Sequence, residues 1–254
     1  NTQYTYLVED LVPGGLKTGY YDFSLCIIGP NVCPSSSKTV RLLVQNYSKV
    51  YVDSSAHGLN TGASWQDAFT NLQDALMISS GCPIDTICVA KGTYYPDTAS
   101  YQNLKRGDRS MSFVLPDSIS LFGGFPSGGG DFASRDWLCN PTILSGALDG
   151  KLDSAGNTYN IVKTIQYKDS ICFDGFVIEG GNAIPINEEG GGWWDGSNTD
   201  NAFLKINNVL FRNNFALFGG GYYGEGSRNV DITNSIFYND TASQRGGAIY
   251  FKPF

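Results

Sequence analysis

The sequence predicts an all-β fold, a solenoid of stacked parallel strands with an N-terminal capping helix, preceded by a short β-rich segment. Three observations carry this expectation. The segment LKINNVLFRNN, Leu204 to Asn214, aligns with VDITNSIFYND, Val230 to Asp240, at a shift of 26 residues. The composition is rich in glycine, with 31 residues, and poor in charge, with 16% Asp, Glu, Lys and Arg, as turn-dense β proteins are. Apolar residues elsewhere alternate over short stretches bounded by Gly and Asn.

Residues 1–47 contain alternating segments at Thr5 to Val8, Tyr20 to Ile28 and Thr39 to Gln45, separated by Pro13-Gly14-Gly15 and Pro34-Ser35-Ser36-Ser37. They are too few for a complete sandwich with its own core, so they read as the end of an Ig-like module or a β-rich collar. From residue 48 onward the solenoid is expected. Trp65, Phe69, Leu72 and Leu76 share one helical face, with Ser64 and Asp67 as a capping box and Gly81 as the stop. Such a helix would cover the apolar end of the stack, as solenoids require. Short strands follow around Ile87 and Val89, Phe113 and Leu115, Ile119 and Leu121, Ile143 and Leu144, and Ile161 and Val162.

An earlier copy of the repeat, Phe173 to Gly181, is followed by Gly190-Gly191-Gly192-Trp193-Trp194. The shift of 26 also sets Gly220-Gly221 onto Gly246-Gly247. A fixed period of this length means stacked units, and units of two or three short strands with Asn and Gly corners make a parallel β-helix. A propeller blade would need about 40 residues per unit. A solenoid ending at Phe254 would expose apolar side chains and strand edges, so the natural protein is expected to continue.

The formal charge is −7, and the 17 Lys and Arg residues do not cluster, which argues against nucleic-acid binding. No apolar run is long enough for a membrane helix. The six cysteines include Cys26 and Cys33, seven apart, and Cys82 and Cys88, six apart, leaving Cys139 and Cys172. With one histidine and no CxxC spacing, disulfides in an oxidising compartment are the expected use, local pairs first.

The ordered motifs Tyr51-Val52-Asp53, Gly62-Ala63-Ser64-Trp65, Leu72 to Leu76, Val89 to Tyr94, Ser112-Phe113, Leu121 to Phe125, Arg135-Asp136-Trp137, Asn140 to Gly146, Asp174-Gly175-Phe176 and Gly180 to Ala183 resemble a known family. It is the parallel β-helix repeat family of the pectin-lyase-like superfamily, found in large secreted proteins of Bacteroidetes. The resemblance implies a right-handed β-helix on an extracellular or cell-surface protein, often a type IX secretion substrate and often held to be an adhesin. The implied partners are other domains of the same chain, glycans and neighbouring cell surfaces. Residues 1–47 lie outside it.

Polysaccharide lyases and hydrolases share this fold, so an enzyme of that kind is an alternative to a surface module. Inverting hydrolysis needs two carboxylates with room for water. Of the polygalacturonase-like motifs only Asn198-Thr199-Asp200 is present, and the single His57 precedes the helix; the arginine motif of pectate lyases is missing. No catalytic residue is assigned. Asp149, Asp153 and Asn157 offer oxygens for calcium without EF-hand spacing, and Arg106-Gly107-Asp108 spells an adhesion tripeptide that also reads as a turn. Asn46-Tyr47-Ser48 and Asn239-Asp240-Thr241 are sequons, and Asp97-Thr98-Ala99, Asp153-Ser154-Ala155 and Asp240-Thr241-Ala242 resemble bacterial O-glycosylation triplets. Trp193, Trp194, Tyr222, Tyr223 and Tyr250 follow the glycine pairs at equivalent points. One ring of each adjacent pair is expected in the core and the other outside, where it could stack on sugars. The function expected is a non-catalytic structural or adhesive surface module; a β-helix polysaccharide lyase or glycoside hydrolase and an extracellular fibre subunit are the alternatives.

Overall fold

A computed structural model describes residues 19–25, 38–44, 48–100, 104–152, 155–185, 189–196, 202–226 and 229–252. The chain divides into two compact units, 1–47 and 48–254. In the first, β1 (Gly19–Leu25) pairs antiparallel with β2 (Lys38–Val44), Gly19 opposite Val44 and Leu25 opposite Lys38. The second unit is built on parallel pairing throughout its named strands. Strand accounts for 41% of the structure and helix for 6%, so the fold is all-β.

Its largest sheet contains β3 (Lys49–Val52), β4 (Thr86–Ala90), β5 (Gly92–Tyr94), β7 (Ser120–Phe125), β8 (Thr142–Ser145), β10 (Ser170–Glu179), β12 (Phe203–Arg212), β15 (Val230–Thr233) and β16 (Ile236–Tyr238). A second sheet runs β6 (Phe113–Leu115), β9 (Val162–Thr164), β11 (Trp193–Asp195), β14 (Tyr222–Glu225) and β18 (Ile249–Lys252). The short pair β13 (Phe215–Phe218) and β17 (Thr241–Arg245) forms a third.

Because side chains alternate faces along a strand, parallel register aligns residues of one kind into columns. Val50, Ile87, Leu121, Phe173, Ile206 and Ile232 form one such column across the large sheet. Tyr94, Leu144, Ile178, Phe211 and Phe237 form another. Phe113, Val162, Trp193, Tyr222 and Ile249 form the third, across the second sheet. All three belong to one apolar cluster, in which only the last member of each column is partly exposed. Tyr222 is tolerated there because its hydroxyl donates to the buried Asp195 carboxylate at 2.7 Å.

The turns repeat as the strands do. Asn208 and Asn234 have φ of 53° and 48°, Asn213 and Asn239 both 55°, and Gly219 and Gly246 62° and 65°. Left-handed backbone is the conformation that Asn and Gly adopt with least strain, so these residue types mark the corners. Asn239 Nδ2 donates to Asn213 Oδ1 at 2.6 Å, and Asn234 Nδ2 to Asn207 Oδ1 at 2.9 Å, forming short amide ladders. The glycine register differs from the expected shift of 26. Tyr222 faces Ile249 and Gly220 N donates to Gly246 O, because an irregularity between Ala216 and Phe218 adds one residue to β17.

The helix, α1, is shorter than its periodicity predicts and spans Leu72–Ser79 with Asn71 at its N-cap. The Ser64 and Asp67 side chains do meet, but in a turn. Asp67 is committed instead to the backbone of Leu59, Thr61 and Gly62, and Phe69 forms a bridge with Val52 of β3. Trp65 therefore leaves the helical face and packs with Tyr51 and Phe125. α1 lies against β3 and β6, the terminal strands of the two larger sheets.

The expected disulfides are corrected for the described cysteines: Cys82, Cys88, Cys139 and Cys172 are free. Cys82 is exposed in the turn after α1, whereas Cys88 lies in the row Tyr51, Cys88, Phe122 beneath Trp65 and Phe125. Burial pushes the Cys88 thiol up to about 11, against smaller opposing effects of Lys49 and Arg135. Cys139 sits exposed in a turn held by Asp136, and Cys172 is half-buried on β10 beside Ser120. Cys26 and Cys33 lie outside the described residues. The described thiols supply no argument for an oxidising compartment.

Candidate functional site

The residues one position after the inward column of the second sheet form an outward row: Val114, Lys163, Trp194, Tyr223 and Tyr250. Adjacent parallel strands lie about 4.8 Å apart, so the backbones of the three aromatic residues follow one another at that spacing. Trp193 and Tyr222 are buried in the core, as the alternation of each aromatic pair predicts. Their neighbours are not equivalent to one another. Trp194 and Tyr250 are half-buried, but Tyr223 is only 1% exposed.

Tyr223 stacks on Tyr250 with centroids 5.8 Å apart and planes 23° from parallel. Its hydroxyl donates to Glu189 Oε1 at 2.9 Å, and Trp194 Nε1 donates to Glu189 Oε2 at 3.3 Å. Burial first, and the Glu189 carboxylate second, hold the Tyr223 phenol well above its ordinary value. Tyr223 thus locks the row, and the surfaces left for a ligand are Trp194 and Tyr250. One side of the Trp194 indole rests on Gly196, where an added Cβ would fall 2.2 Å from the ring.

Beside Trp194 the surface is concave. A cavity of about 200 Å³ is lined by Asn160, Lys163, Glu189 and Trp194. A larger one, about 500 Å³, is lined by Lys105, Gly107, Asp108, Arg109, Ser110, Tyr159 and Lys163. Arg109 donates to the carbonyls of Asn157, Asn182 and Ile184, and its guanidinium lies 4.2 Å from the Tyr159 ring centre. Asn160 Nδ2 donates to the Glu189 and Gly190 carbonyls, which fixes the loop that carries Glu189. These loop residues have no periodic signal of their own. Lys163 carries one signal that could have found it, since it follows Val162 as Trp194 follows Trp193.

The other sequence candidates are placed apart from this row. Arg106-Gly107-Asp108 is a turn: Gly107 has φ of 77°, and Asp97 accepts from Arg106 at 3.4 Å and from Gly107 N at 2.8 Å. His57 is exposed near Asp53 and Trp65 in a cavity of about 340 Å³. Asp149 is exposed and accepts from Lys151 N, whereas Asn157 is wholly buried; Asp153 and Asn198-Thr199-Asp200 lie outside the described residues. No cluster of three or more His, Cys, Asp or Glu residues is arranged to hold a metal among the described residues. Asp97 and Asp240, the acidic members of two glycosylation triplets, are engaged by Gly107 N and by Asn214. Among the described residues no helix is long and apolar enough to cross a membrane.

No protein-family model, no curated protein and no solved structure matches the chain.

Proposed function

We propose that residues 48–254 form turns of a right-handed parallel β-helix with α1 as its N-terminal cap, and that the protein is a non-catalytic glycan-binding module of a secreted bacterial surface protein. Three registered inward columns and the repeated left-handed corners support the solenoid. Residues 1–47 serve as the end of an Ig-like module or a collar. The observation that carries the binding role is the outward row, in which Trp194, bonded to Glu189, and Tyr250, stacked on Tyr223, present half-exposed rings. Rigid rings with a wet edge lose little entropy on binding, which suits them to sugar faces. Secretion and a place among the β-helix repeat proteins rest on the ordered motifs in the sequence.

A panel of neutral and acidic polysaccharides tests this. Retention of at least one is expected, falling about tenfold or more in Trp194→Ala and further with Tyr250→Ala, as for a central aromatic contact. No new reducing ends and no unsaturated-uronate absorbance should appear, with or without calcium. Turnover would replace the binding role with an enzymatic one.

A further inference from the structure

Lys163 occupies the outward row between Val114 and Trp194 and lines both neighbouring cavities. Among the described residues its ammonium has no hydrogen bond or ion pair, although the side chain is half-buried. The larger cavity holds three cationic side chains, Lys105, Arg109 and Lys163, against one carboxylate, Asp108. Asp108 is turned to its own loop, accepting from Ser110 N at 2.9 Å and Ser110 Oγ at 2.7 Å. Arg109 bonds only neutral carbonyls, so its charge is not neutralised by a carboxylate either. A chain with 24 acidic and 17 basic residues has here gathered local positive charge beside an aromatic surface.

We propose that this cleft binds the anionic substituent, carboxylate or sulfate, of a saccharide whose rings lie along Trp194. The inference rests on the glycan-binding role and specifies its ligand. Lys163 supplies the partly buried charge, and Arg109 and Lys105, which line the same cavity, add to its positive potential. Burial alone lowers the Lys163 ammonium below its usual value, so an arriving anion would gain an ion pair with a charge that is already partly desolvated. Glu189 shares the smaller cavity with Lys163 and keeps its charge, but its carboxylate accepts from Trp194 and Tyr223 and forms no ion pair with the lysine.

The test uses one backbone in three forms: dextran, carboxymethyl-dextran and dextran sulfate, with retention measured on the full chain. At least one anionic form is expected to bind about tenfold more tightly than dextran, a gain typical of one charge-assisted contact. Lys163→Gln should abolish that preference, bringing the anionic forms down to the level at which the same variant holds dextran, while Lys163→Arg keeps most of it. Lys49→Gln removes the same charge from β3 and should change nothing. Retention of only one anionic form identifies the substituent. Equal weakening by Lys163→Gln and Lys49→Gln, or dextran held as tightly as the charged forms, would overturn the anion site and leave glycan binding intact. Retention of none of the three or of any polysaccharide in the wider panel would overturn both.

Discussion

Asp240 stands where the preceding repeat has Asn214. Asn214 Nδ2 donates to the Ile178 carbonyl at 3.1 Å and to Asp240 Oδ1 at 2.9 Å, and Asn214 N also donates to Asp240 Oδ1. Asp240 Oδ2 is buried with no hydrogen-bond partner. Burial raises this carboxyl to about 6, against the lowering effect of bonds from Asn214 and the Tyr238 backbone. The folded state therefore holds a proton that the unfolded chain releases near pH 4. Stability from this group is fully present below about pH 4 and is lost as pH rises through about 6. Asp240→Asn is expected to stabilise the protein at pH 8, on the order of 2 kcal/mol, and to change little at pH 4. The introduced amide would face the Phe211 carbonyl as that of Asn214 faces Ile178, since Ile178 and Phe211 are in register. Urea unfolding at both pH values measures the difference, and an equal effect at the two would assign the gain to packing instead.

Among the elements, the corners carry the tightest constraint. A Cβ on Gly220 would lie 2.5 Å from the carbonyl oxygens of both Gly247 and Thr241, which are backbone atoms of the following repeat and cannot move aside singly. Gly220→Ala is expected to cost about 2–4 kcal/mol, while Gly81→Ala, with nothing within 4 Å, should be neutral or slightly stabilising. Urea midpoints of the two variants compare them directly. The glycine corners were legible because they recur; their register was one residue off because the extra residue in β17 breaks the period locally. The helix was overextended for a different reason. Trp65 and Phe69 keep helical spacing, yet the pairing of Phe69 with Val52 draws that stretch onto the sheet. Tertiary pairing of this kind leaves no trace in local periodicity. The aromatic row was readable through the repeat, whereas Glu189 and Arg109 come from loops that nothing in the pattern ties to it.

At the scale of the molecule, a solenoid predicts that one whole repeat can be removed without disturbing the rest, because each turn touches only its neighbours. Leu204 of β12 registers with Val230 of β15, so deleting residues 204–229 takes out 26 residues and places Val230 where Leu204 stood against Ile171. The inward columns close up, with Phe173 meeting Ile232, Ile178 meeting Phe237, and Trp193 meeting Ile249. The outward row closes too, Tyr250 taking the place of Tyr223 beside Trp194. This deletion is expected to yield a soluble protein with strand-rich circular dichroism and cooperative unfolding, at lower stability because less apolar surface is buried. Deleting half a turn, residues 204–216, would bring unlike columns and corners together and is expected to abolish folding. If both deletions fail alike, the parallel sheets belong to a fold whose parts are not exchangeable units, and a rigid row of rings built by repetition would lose its structural basis.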